Sequence, residues 1–166
     1  MTLKDLLVEE LKDLFDAEHQ LTKALPKLAA AAGSDRLRRA FESHAEETRN
    51  QSKRLEDIFA LLGLRADGKH CDGIAGIVKE GSRLIARRDI DAALQDAALI
   101  AAAQKAEHYE IAGYGTVAAW ARTLGLTEVA ASLEQTLEEE KAADRALNDL
   151  AMQEVNISAQ QEAEKT

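Results

Sequence analysis

Six acidic residues stand where helical periodicity calls for apolar ones: Glu18, Glu47, Glu107, Glu110, Glu140 and Asp144. In the run 92–121, steps of three and four join Ile100, Gln104, Glu107, Ile111, Tyr114 and Ala118, and Glu110 falls beside Tyr114 and Val117. A carboxylate on such a seam faces the core, where its desolvation is costly unless a cation or a dense set of hydrogen bonds offsets it. Six acids at one level would raise one another's pKa values steeply. Two divalent metal ions held by bridging and terminal carboxylates would supply about four positive charges, a solution that suits helical bundles. Taken singly, each acid has a plainer reading. Glu18 could pair with a cation on a neighbouring helix, Glu110 and Asp144 could be rim carboxylates, and His44 could orient a carboxylate rather than bind a metal.

The elements that must carry these residues follow from the same periodicity. A first helix opens after Thr2, with Asp5 completing a capping box, and runs to about Ala32; its seam is Leu7, Leu11, Leu14, Glu18, Leu21 and Leu25. Pro26 lies inside it and predicts a bend rather than a break. Ser34 caps a second helix over 35–62, closed by Gly63, with Leu37, Phe41, His44, Glu47, Thr48, Gln51, Leu55 and Ile58 on its inner row. A polar stretch and a weaker amphipathic segment, 74–86, form a long connection. The third helix begins near Asp91 and ends at Gly125. Thr127 is expected to cap a fourth, whose inward row is Val129, Leu133, Leu137, Glu140, Asp144, Leu147 and Ala151. After Val155 the sequence NISAQQEAEKT offers little to pack, so residues 156–166 are expected to fray or be disordered.

Short links at Gly33 and Gly125 make two helix hairpins, and the connection between them is long enough to cross a bundle some 40 Å in length, on the order of 27 residues at 1.5 Å each. The fold expected is therefore all-α: a ferritin-like four-helix bundle, one domain over 1–155, with a crossover carrying a short extra helix. The single proline and an aromatic content of only 4% agree with long helices. A net charge of −9 without a basic cluster argues against a nucleic-acid partner. One cysteine, Cys71, excludes an intramolecular disulfide and a cysteine-rich zinc site, and the charged first residues and lack of a long apolar run point to the cytoplasm with no membrane partner.

Glu18 in DAEHQL, Glu47 in HAEETRNQ, the run AAQKAEHYEIAGYGT and the segment LEQTLEEEKAADRALNDLA together resemble the YciE/YciF family of ferritin-like stress proteins, over nearly the whole chain. That resemblance implies a homodimer, a part in bacterial stress responses, iron as the first choice of metal and a distant similarity to rubrerythrins. In the broader di-iron pattern, Glu-x-x-His occurs on two helices; here Asn50 and Ala143 stand where the histidines would be. The pair Glu107 and Glu110 matches a rubrerythrin-like doubling, so Glu110 is expected to replace one missing ligand and Asp144 the other, with His44, Gln51 and Tyr114 as flanking residues. An oxygen-rich site widens the choice to manganese, magnesium or calcium. Three functions are open at this point: reduction of peroxide or oxygen with electrons from an external donor, sequestration of iron, or a metal-free structural or partner-binding role with protonated acids.

Overall fold

The computed structural model describes residues 1–163. Its elements are α1 (Leu3–Ala31), α2 (Asp35–Leu61), α3 (Asp72–Ile85), α4 (Ala92–Thr123), α5 (Thr127–Leu150), a π-helical turn (Ala151–Val155) and α6 (Asn156–Ala163). No strand occurs among the described residues. The helix starts follow local chemistry. Thr2 and Asp5 form a reciprocal capping box on α1, Ser34 and Asp91 cap α2 and α4, and the Cys71 thiol caps α3. α1 continues through Pro26 as one helix. The start of α5 differs from expectation: Leu126 is the capping residue and makes no side-chain cap bond, while Thr127 is already helical. Gly63 and Gly125 end α2 and α4 at φ 70° and 72°, a conformation that costs glycine least.

The long helices form a four-helix bundle in which α1 packs on α2, α4 on α5, α1 on α4 and α2 on α5. The Asp96 carboxylate, one turn into α4, accepts the backbone N–H groups of Gly33 and Ser34 at 2.7 Å each. That contact sets the start of α4 beside the α1–α2 turn, so α2 and α4 run in the same direction and the crossover spans the bundle. On its way the crossover is pinned to α1: Lys69 N–H donates to the Lys12 carbonyl at 3.1 Å and Cys71 N–H to Asp16 at 2.8 Å. α3 then lies across α1 and α4.

The C-terminal expectation is corrected as far as Ala163. The chain stays helical there because Val155 and Ala159, four residues apart, bury themselves on α4 with Leu150 and Ala151 ahead of them. Residues 164–166 lie outside the described residues.

Two apolar clusters fill the bundle. One is built on Leu21, Leu25, Leu28, Leu37, Phe41, Leu99 and Leu147, the other on Leu7, Leu11, Leu14, Leu55, Phe59, Val117 and Leu133. Between them, at mid-height, every long helix contributes buried polar side chains: Glu18 from α1, His44, Thr48 and Gln51 from α2, Glu107 and Glu110 from α4, Thr136 and Glu140 from α5.

Candidate metal centre

The four glutamates of that layer are each 1% exposed or less. One ligating atom from each of His44, Glu107, Glu110 and Glu140 can be chosen so that all lie within 4.8 Å of one another. His44 Nε2 is 3.1 Å from Glu107 Oε1 and 3.7 Å from Glu140 Oε2. Its other ring nitrogen, Nδ1, lies 3.4 Å from Glu47 Oε2, so the imidazole is held between an outer and an inner carboxylate. Tyr114, fully buried on α4, donates a short hydrogen bond to Glu18 Oε1. Gln51 donates a short hydrogen bond to Glu140 Oε1 and a second, at 3.2 Å, to Glu139, which Arg54 grips at 2.8 and 3.0 Å.

These partners do not satisfy the acids. Counted as carboxylates, both oxygens of Glu110 and the Oε2 atoms of Glu18, Glu107 and Glu140 are buried with no donor. Electrostatics responds accordingly. Burial pushes Glu18 up to about 7, against the pull of the Tyr114 hydroxyl and the His44 charge. Glu110 is raised well above the carboxylate range by burial and by the neighbouring Glu140, Glu18 and Glu107, and Glu140 is raised by burial and by Glu107. Burial opposes charge on Glu107 and His44 as well, but each is the other's counter-ion: Glu107 is lowered and His44 raised well above its usual value. Without a cation, then, His44 and Glu107 pair as opposite charges, while burial and like-charge crowding favour the protonated forms of Glu110 and Glu140.

A metal ion fits these groups. Bonds of roughly 2.0–2.6 Å put donors on opposite sides of an ion about 4–5 Å apart, which is the spread observed. The donor-less oxygens are also the atoms such an ion would take up. One imidazole with three carboxylates suits a borderline divalent ion such as iron or zinc better than a purely hard one.

Glu18, Glu107, Glu110 and Glu140 are thus buried in one layer, while Glu47 and Asp144 lie outside it. Glu47 has 47% of its side chain in solvent, because the inner row of α2 passes through His44, Thr48 and Gln51 and leaves it about 100° to one side. Asp144 is drawn to the α4–α5 rim, where Gln104 donates to it at 3.1 Å and His108 Nε2 sits 3.3 Å away. His44, expected as a flanking residue ahead of a ligand, stands among the four converging groups. Its place four residues before Thr48 on the inner row is the signal that could have promoted it. His70, Cys71 and Asp72 do not converge on a site: His70 faces Asp16 at 3.5 Å and Asp72 at 3.6 Å, and the Cys71 thiol, pushed up to about 11 by burial, lies 3.1 Å from the Tyr109 hydroxyl.

Fold and site together define a ferritin-like helical bundle whose interior layer of histidine and glutamate could hold metal. The family described as "Domain of unknown function (DUF892)" matches residues 2–160, and the chain belongs to it. It is 43% identical over 163 residues to protein YciF of Escherichia coli strain K12, covering 98% of each chain. The crystal structure of that stress protein superimposes with a TM-score of 0.89 at 44% identity, over 93% of this chain and 98% of that one. YcfI from Rhodopseudomonas palustris gives 0.86 at 44% identity, over 89% and 94%. A protein from Xanthomonas campestris, 24% identical with a TM-score of 0.78 over 99% and 100%, shares the fold. Among the described residues no helix is long and apolar enough to cross a membrane.

Proposed function

We propose that the protein is a carboxylate-bound di-metal protein, with iron as its metal, that reduces a small oxidant such as peroxide or dioxygen in the stress response. The observation that carries this reading is the convergence of His44, Glu107, Glu110 and Glu140 within 4.8 Å, with buried oxygens that have no donor. Those four would hold the first ion. Glu18, which lies close enough to Glu107 to feel its charge and within hydrogen-bond reach of Glu110, would contribute to a second, together with Glu47 or Asp144 after a side-chain rotation. Two ferrous ions, when bound, would supply two electrons, which with two protons convert one peroxide to two waters. The chain's own part is to hold the ligands in a dry layer, and to keep a proton at hand on the Tyr114 hydroxyl that bonds Glu18. A groove between α2 and α5, where His44, Glu47 and Glu139 stand among alanines, Phe41 and Leu147, is the side by which a cation would reach the layer.

Likeness to the E. coli stress protein YciF supports the stress role, and the remaining parts of the reading are a homodimer in the cytoplasm that takes electrons from an external donor. The test is metal analysis with anomalous diffraction on protein prepared without chelators. Two metal ions per chain at the layer are expected, falling on Glu107→Gln, with peroxide consumed by the reduced protein. Metal bound without turnover would reduce the reading to sequestration. A second reading, a metal-free structural protein, is favoured by the His44–Glu107 ion pair, which partly neutralises the layer by itself. Melting unchanged by iron or manganese would establish it.

A further inference from the structure

A cleft runs beneath α3, between α1 and α4. Leu21, Leu25, Ile77, Val78, Ala102 and Ala103 wall it, and its inner end is formed by His44, Glu107 and Glu110. Small residues make the space. α4 turns three alanines towards α3 at positions 102, 103 and 106, and α3 answers with Gly81, where an added Cβ would still stand 3.8 Å from Ala102 and 3.9 Å from Leu28. The open interior is about 30 Å³, room for a molecule of one or two heavy atoms. Hydrocarbon walls give a cation nothing to replace its hydration, so an ion entering here would carry the full desolvation penalty. An uncharged apolar diatomic loses nothing. At the inner end stands Glu110, 1% exposed, with no donor on either oxygen.

We propose that this cleft is the binding pocket and entry path for dioxygen, separate from the α2–α5 groove that carries Glu47 and Glu139 on the other side of His44. The assignment of dioxygen as oxidant rests on the metal-centre reading; the affinity of the cleft for it does not. The two have separate tests. Metal-free protein with labelled methyl groups is placed under dissolved dioxygen, and paramagnetic broadening is measured by NMR. Broadening is expected at Leu21, Leu25 and Ala103 well above that at Leu11 and Leu133, which are buried in the other cluster, and Gly81→Val should abolish the excess. In protein loaded with ferrous ion, Gly81→Val should slow oxidation by dioxygen about ten-fold or more with the iron content unchanged. Should Gly81→Val fail to fold, Ala102→Val fills the same space from α4 and takes its place in both arms.

Equal broadening in the two clusters, or excess broadening that survives the filled cleft, overturns the proposal. So does unchanged oxidation in a variant whose cleft broadening has gone. Protein that takes up no iron overturns the metal-centre reading alone, and the broadening measured without metal still decides the cleft.

Discussion

Chelator-treated protein should become more stable as the pH falls from about 7.5 to about 5.5, the reverse of what surface carboxylates produce. The cause is Glu18, whose carboxyl is shifted from 4.5 in the unfolded chain to about 7 in the fold. A group raised in this way binds more protons folded than unfolded between those two values, so its contribution is fully present below 4.5 and lost as pH rises through 7. Across the window it amounts to about 2 kcal/mol, or about 4–8 °C in melting temperature for a domain of this size. His44, raised above 6.5, adds in the same direction. Glu107, Asp16 and Glu139 are lowered, so their contributions are present above the usual carboxylate range and fade only below the window. Thermal denaturation followed by circular dichroism at several pH values, with and without added manganese, measures this. Manganese requires deprotonated ligands, so its stabilisation should grow with pH and flatten or reverse the slope. Glu18→Gln should remove about 2 kcal/mol of the metal-free slope. A metal-free melting temperature that is flat, or that rises with pH across the window, would refute the buried-acid argument.

Glu110→Leu should raise the melting temperature of chelated protein, by about 1–4 kcal/mol in stability, and abolish the response to metal, since a well-packed apolar side chain outperforms a buried acid without donors. Tyr114→Phe leaves Glu18 without its hydroxyl donor and should cost about 1–3 kcal/mol in chemical denaturation. Gly73→Ala would drive a Cβ into the Tyr109 ring, whose hydroxyl Asp13 holds at 2.7 Å, and should destabilise by about 1–3 kcal/mol. Gly76→Ala, three residues on in open space, should stabilise by about 0.5–1 kcal/mol, and the two melts side by side check the packing of α3.

Positions on a strict three-and-four row were legible in the sequence. Glu18, Glu107 and Glu140 each sit in line with leucines, valines or tyrosine of their own helix, and such an apolar line is the face a helix buries. Where two neighbours competed for a row, periodicity alone could not choose. On α2 Thr48 is buried and Glu47 is not, because a carboxylate beside solvent stays hydrated while a hydroxyl is cheaper to enclose. Asp144 falls on the inner row of α5, yet Gln104 and His108 from α4 hold it at the rim, and partners on another helix leave no trace in a single helix's period. Composition misjudged the chain after Val155, since one alanine at the right spacing, Ala159, was enough to continue the helix on α4. The dioxygen cleft was hidden for the same reason: alanines 102, 103 and 106 suit any helix, and become a wall only once Gly81 of the crossover lies opposite.

The position of the acid layer constrains what the crossover can be for. A four-helix bundle with two apolar clusters would close without α3, since α1 and α4 already pack on each other and each has a hairpin partner. Yet α3 is anchored at both ends. Asp16 and the Tyr109 hydroxyl hold Cys71 at its start, and Gln95 of α4 donates to the carbonyls of Leu84 and Ile85 at its finish, both at 3.3 Å. Between these anchors its inward face is Ile74, Ile77, Val78 and Gly81, laid over the stretch of α1 and α4 from which Glu107 and Glu110 would otherwise be open to water. Water there would solvate the acids, lower their proton affinity and weaken their hold on a cation. A segment that only linked two hairpins would need neither the anchors nor the apolar face. The crossover is therefore the element that keeps the layer dry, and Gly81 sets how large a molecule may pass beneath it.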